Sequence, residues 1–145
     1  MAFCERLSEQ LAVVATIDPV AALTAATPTD IFSMQLHRRA LFILQTGASV
    51  GTGILCNIQE GVDAAMTATT AAILTLAATA CTATASQYLF EVSAEAMADG
   101  YTYLRGTFDP TGATVLSVVV LADVERYHPA SDRDLASVVS IQAAN

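Results

Sequence analysis

Apolar and polar residues alternate through most of this chain, and the period is two rather than 3.6. From Met34 onward, Met34, Leu36, Arg38, Ala40, Phe42 and Leu44 share one face, while Gln35, His37, Arg39, Leu41 and Ile43 share the other. The alternation starts clean and becomes a continuous apolar run, the pattern of a strand entering a core. Residues 46–53 carry Gly47, Gly51 and Gly53 and read as a turn. Ile54, Cys56 and Ile58 then share one face of a segment reaching Glu60. Two such segments across a turn predict a β-hairpin. Residues 87–93 and 101–107 alternate as well, and residues 73–76 predict a short strand. Residues 113–122, with Val115, Val118, Val119 and Val120, form the β-branched run of a central strand. Residues 94–100 predict one helical turn closed by Gly100, and Asp109-Pro110-Thr111-Gly112 predicts a tight turn.

The ends are less regular. Phe3, Leu7 and Leu11 with Glu5, Arg6 and Glu9 fit a short amphipathic helix, whereas residues 11–17 equally fit an extended arm. Asp18-Pro19 breaks either element, and residues 20–30 read as an extended connector. Arg126-Tyr127-His128-Pro129 closes the body, and residues 135–141 read as an edge strand or docking arm. This pattern of short strands with little helix predicts a mainly β protein. The expected form is an antiparallel β-sandwich, jelly-roll or Greek-key like, with N- and C-terminal arms and at most one short helix. Its expected parts are an N-terminal arm over residues 1–30, a sandwich over 31–130 and a C-terminal tail over 131–145. Strand order does not follow from the pattern.

Composition narrows the function classes. The 145 residues amount to one domain, with a core large enough to need no metal or disulfide. Fourteen acids stand against six bases, all of them Arg, for a net charge of −8. So few cations cannot neutralise a run of phosphates, which argues against nucleic-acid binding. Cys4, Cys56 and Cys81 are too few and too scattered for a disulfide framework or a zinc site, and read as free thiols in a reducing compartment. Glu5 and Glu9 stand where a secretory signal would be basic and then apolar. Residues 64–86 carry no charge and are long enough to span a bilayer. Their content is Ala and Thr with only Met66, Ile73, Leu74 and Leu76 as large apolar side chains, so no membrane span is expected.

The search for chemistry returns little. The spacing of Gly47, Gly51 and Gly53 matches neither phosphate-binding glycine motif, and no Lys exists to reach a phosphate. His37 and His128 are the candidate bases, but no clustered carboxylate or nucleophile accompanies them. Asp132 and Asp134 lack the spacing of a calcium loop. Arg38 and Arg39 point to opposite faces of one strand, and Tyr88, Tyr101, Tyr103 and Tyr127 lack basic neighbours for a stacking platform. No catalytic residue, cofactor or metal site is expected. Leu7, Leu11, Val13 and Val14 at one end and Leu135, Val138, Val139 and Ile141 at the other are the candidate partner-interface residues.

One resemblance sharpens this. It rests on the run from Asp30 through Gln35-Leu36-His37-Arg38-Arg39 to Thr46-Gly47-Ala48, followed by Ile58-Gln59-Glu60 and Glu91-Val92. Asp99-Gly100-Tyr101-Thr102-Tyr103-Leu104-Arg105 and Arg126-Tyr127-His128-Pro129-Ala130 complete it. Together they resemble the small capsid cement, or decoration, proteins of tailed bacteriophages with HK97-type capsids. The resemblance spans residues 15 to 131. It implies a non-enzymatic virion structural protein that binds the major capsid protein shell on the capsid exterior after assembly in the host cytoplasm. It further implies a homo-oligomer, dimer or trimer, without nucleic-acid or membrane partners. The alternatives are another phage structural component, such as a neck or tail protein, and a ligand-binding or enzymatic β-sandwich.

Overall fold

The computed structural model describes residues 10–69 and 71–123. The described residues form nine strands: β1 (Ala12–Leu23), β2 (Thr27–Pro28), β3 (Phe32–Ser33), β4 (Arg39–Thr46), β5 (Ile54–Gly61), β6 (Leu74–Leu76), β7 (Gln87–Ser93), β8 (Tyr103–Pro110) and β9 (Thr114–Ala122). Two short 3-10 turns, Ala78–Ala80 and Ala94–Ala96, interrupt them. The first sheet has the order β1-β9-β4-β7 and the second β2-β8-β5-β6, with β3 also on β8. Every ladder is antiparallel.

Thr29 bridges the break between β2 and β3, its N–H donating to the Gly106 carbonyl at 2.8 Å while its hydroxyl oxygen accepts from the Gly106 N–H at 3.1 Å. Taken as one interrupted strand, β2 and β3 leave eight strands whose pairing is nested. The first pairs with the last (β1 with β9), the second with the next to last (β2/β3 with β8), then β4 with β7, and β5 with β6 at the centre. Lateral ladders of β9 with β4 and β8 with β5 close the two sheets. This is a single jelly roll, two Greek keys wrapped into a sandwich.

The inner faces supply the core. Phe42 and Leu44 of β4 and Val118 and Val120 of β9 face Ile54 and Ile58 of β5 and Phe108 of β8, all fully buried. Each such side chain contributes roughly 1.5–3 kcal/mol by leaving water. Phe32 packs on Phe42 and Phe90 on Phe108 with ring centroids 6.0 and 6.3 Å apart.

Several local expectations change. The hairpin expected across residues 46–53 does not form: β4 lies in one sheet and β5 in the other. The glycine-rich segment arches over the end of the sandwich, so the apolar faces of β4 and β5 point at each other across the core. A hairpin would have set them side by side in one sheet. Gly53 makes the arch possible, with φ at +142° and the Ala78 carbonyl oxygen where a Cβ would have to go. Residues 111–113 likewise cross between sheets, from β8 to β9.

Residues 34–38 are not strand, because the His37 N–H turns back to the Met34 carbonyl at 3.2 Å and β4 starts only at Arg39. The expected stop at Asp18-Pro19 is absent too. β1 runs on to Leu23, and these two residues sit in a register irregularity between Ile17 and Val20. β1 is an edge strand, where a residue without an N–H is tolerated. Much of the stretch placed with the N-terminal arm is thus a strand of the first sheet, and residues 20–30 hold the end of β1 and all of β2.

Candidate functional site

The two outer faces differ in chemistry. On the second sheet, Asn57 and Gln59 of β5, Thr75 of β6 and Arg105, Thr107 and Asp109 of β8 face outward, together with Leu55 and Tyr103. Arg105 donates to the Gln59 side chain at 3.1 Å and Thr75 to that of Asn57 at 3.0 Å. This is the polar exterior an antiparallel sheet normally shows to water. The first sheet is different. Among the residues that alternate with its core positions are Leu41 and Ile43 on β4, Leu89 on β7, and Val115, Val119 and Leu121 on β9, and they share the face with Arg39, Gln45, Gln87, Glu91 and Ser117.

Cross-strand register makes these residues a continuous patch. Leu41 lies opposite Leu121, and Ile43 lies between Leu89 and Val119. Val13 of β1 lies on the other side of Leu121. Leu89 is 62% exposed, and the other apolar residues of this face are half-buried. One exposed ion pair stands at the rim, Arg39 to Glu91 at 2.8 Å.

A second feature lies at the end of that sheet, where β9 finishes beside the start of β4. The Asp123 carboxylate accepts from the N–H groups of both Arg38 and Arg39 at 2.8 Å. The Asp123 N–H donates to the Arg39 carbonyl at 3.0 Å. The His37 ring, buried, donates from Nδ1 to the Asp123 carbonyl at 2.8 Å, because a carbonyl can only accept. Ser93, Ala94 and Glu95 complete a shallow recess there. Its polar groups brace the chain, and the Asp123 carbonyl positions the His37 ring.

The remaining candidates are dispersed. Tyr88 lies on β7 and Tyr103 on β8, in opposite sheets, and the Tyr88 hydroxyl accepts the Ala83 N–H at 3.0 Å. Val14 is buried in the core: a bulge between Val13 and Ala15 turns Val14 and Ala15 both inward and leaves Val13 outward. Leu11 is half-buried. Leu7, Leu135, Val138, Val139 and Ile141, with His128, Asp132, Asp134, Tyr127 and Cys4, lie outside the described residues. Cys56 and Cys81 are buried and face each other. Burial first, and the neighbouring Cys81 thiol second, push the Cys56 thiol well above the ordinary range; burial also raises Cys81.

Among the described residues no group of three His, Cys, Asp or Glu side chains is placed to hold a metal. No helix among them is long and apolar enough to cross a membrane. Comparison of the chain with protein-family models, with curated proteins and with solved structures finds no match.

Of the apolar outer face only Val13 was among the sequence candidates, although the signal of the rest was present. β4 and β9 are apolar at both parities, a pattern that reads equally well as a strand sinking into a core.

Proposed function

We propose that this chain is a non-enzymatic virion structural protein, a cement or decoration protein that binds the assembled major capsid protein shell from outside. The observation that carries the reading is the nested pairing of a single jelly roll. That fold serves viral shell domains as well as lectins and cupins. The choice among these comes from the resemblance of residues 15 to 131 to phage cement proteins, since a fold by itself does not select a function.

Bracing of the loops supports the same reading. The buried Glu60 carboxylate holds the Ala98 N–H at 2.9 Å, the Thr46 hydroxyl holds the Ala83 carbonyl at 2.8 Å, and Asp123 clamps the entry to β4. A sandwich with pinned connections suits a mechanical role. The acidic surface is compatible with a position outside the shell, where the partner is protein.

The test is co-sedimentation with expanded, undecorated shells of a tailed phage. Saturable, stoichiometric pelleting is the expected result. Absence of the protein from the pellet at saturating concentration overturns the proposal, and binding to isolated neck or tail assemblies in its place selects the other phage structural role.

A further inference from the structure

From Ala71 to Leu89 the chain is exposed or half-buried at every residue but one, and that one is Cys81. The 3-10 turn just before it buries no side chain. Cys81 joins the core beside Cys56 of β5, and both are fully buried. The two thiols are hydrogen-bonded to each other. The backbone holds them there: the Ile54 N–H donates to the Cys81 carbonyl at 3.1 Å, and the Cys56 thiol donates to the Ile54 carbonyl at 3.5 Å. We propose that Cys56 and Cys81 are the two halves of an intramolecular disulfide, closed by a low-molecular-weight disulfide such as oxidised glutathione, that pins residues 77–86 to β5. The proposal does not depend on shell binding.

A buried thiol by itself is only a small apolar side chain. Two in contact, brought together from distant parts of the chain, have the arrangement a bridge needs, with Cβ atoms about 3.5–4.5 Å apart. The bridge also falls where other anchorage is thin. Beyond Cys81, residues 77–86 are tied down by polar contacts, such as the Thr46 hydroxyl on the Ala83 carbonyl at 2.8 Å and the Ala85 N–H on the Gly47 carbonyl at 2.9 Å.

The two sulfurs are not equivalent. Burial raises both thiols, but at Cys81 the hydrogen bonds from Cys56 and Tyr88 oppose it, whereas at Cys56 the neighbouring Cys81 adds to it. Cys81 therefore gives up its proton first and is the attacking sulfur. Its thiolate attacks one sulfur of glutathione disulfide, breaking that S–S bond and releasing one glutathione thiolate, which takes up the Cys81 proton. Cys56 then attacks the Cys81 sulfur of the mixed disulfide and expels the second glutathione, which takes up the Cys56 proton. Two electrons pass from the protein pair to the oxidant, which leaves as two thiols. Because both sulfurs are buried, the exchange proceeds while residues 77–86 are lifted from the core. The pair stays reduced where glutathione is reduced and closes in oxidising surroundings.

Refolding the full chain from urea in a mixture of reduced and oxidised glutathione tests the proposal, since unfolding gives the oxidant access to every thiol. Cys4, Cys56 and Cys81 allow three pairings. Digestion at Glu residues after an acid quench separates Cys56 from Cys81 at Glu60. The digest is expected to show these two linked, with Cys4 free or carrying glutathione. Closing a loop of about 25 residues without strain should raise the Tm of the oxidised chain about 5–10 °C above that of the reduced one. Cys81→Ala should abolish the rise and Cys4→Ser should keep it. The comparison of oxidised with reduced chain holds even if a variant fails to fold. Bridges through Cys4, two free thiols at Cys56 and Cys81 in excess oxidised glutathione, or a bridged chain that melts no higher than the reduced one each overturn the proposal.

Discussion

The ring of Phe42 lies in the space that a side chain at Gly106 would need. A Cβ on residue 106 would fall 3.0 Å from Cε1 of Phe42 and 2.9 Å from Cε2 of Phe108, both fully buried rings. Neither ring is the free end of a flexible chain, so the contact cannot be relieved cheaply. Gly106→Ala should destabilise the protein by about 1–3 kcal/mol, and Gly106→Val by more. Urea unfolding followed by circular dichroism measures this; an unchanged midpoint for Gly106→Ala would show that the rings yield. Combining it with Phe42→Leu should recover part of the loss, because the two sites share one space.

Glu60 is 2% exposed and accepts the Ala98 N–H at 2.9 Å, tying the loop after the second 3-10 turn to β5. Glu60→Leu removes the acceptor and leaves the amide without a protein partner, at a cost of about 2–3 kcal/mol. Glu60→Gln keeps an oxygen there and should cost less than half as much. Hydrogen exchange at Ala98 should speed up in the Leu variant and change little in the Gln variant.

Asp123 acts through its acceptor oxygen on the N–H groups of Arg38 and Arg39. Asp123→Ala should cost about 1–2 kcal/mol and accelerate exchange of both amides, while Asp123→Asn should retain most of the stability. Equal losses in the two variants would show that charge, not the hydrogen-bond acceptor, holds this corner.

Asp63 organises the loop after β5. Its carboxylate accepts from the Thr67 hydroxyl, from the Thr67 N–H at 3.0 Å and from the Ala65 N–H at 3.1 Å. The Thr67 hydroxyl foremost, with these amides, holds the carboxyl below its ordinary range. A depressed folded-state value means the bonds stabilise the loop fully above the ordinary carboxylate pKa, and that this is lost as pH falls through the lowered one. The Thr67 amide resonance should therefore titrate with a midpoint below about 3.9, the free Asp value. Asp63→Asn should abolish that titration.

Cys56 and Cys81 are buried thiols whose ionisation is raised chiefly by desolvation. A raised folded-state value stabilises the protein fully below the ordinary thiol range, and the stabilisation is lost as pH climbs toward the raised value. Stability should thus fall between about pH 8.5 and pH 10, as unfolded thiols ionise and folded ones do not. Cys56→Ala should flatten that slope. Peptide mapping after iodoacetamide at pH 8 should find both thiols unmodified in the folded protein and alkylated in urea.

The fold class was legible because alternation marks a strand whatever its partner. β7 begins and ends at the residues the pattern indicated, and β9 starts one residue later than indicated. The pattern could not say which strand lies beside which. Gly47, Gly51 and Gly53 announce a change of direction, and a chain that reverses in one sheet uses the same residues as one that arches to the other. Asp18-Pro19 is a local breaker overridden by the pairing of β1 with β9, and His37 left the strand pattern because a carbonyl far along the sequence draws in its ring. The apolar outer face stayed hidden for a related reason. Leu41, Ile43, Val119 and Leu121 have the composition of core residues, and only strand pairing reveals that they point outward.

Nesting the first strand on the last also has a consequence in time. Among the described residues β9 supplies the only ladder of β1 and one of the two ladders of β4, pairing Ala12 and Ala40 alike with Ala122. Until synthesis has passed Ala122 the first sheet lacks β9, although the β5–β6, β4–β7 and β8 ladders can form once Leu76, Ser93 and Pro110 have been made. Contacts so distant along the chain carry a large loop-closure cost and slow folding. Before that point Phe42 and Leu44 of β4 lack Val120 and Val118 beside them, so the first sheet closes only when β9 finds β1 and β4.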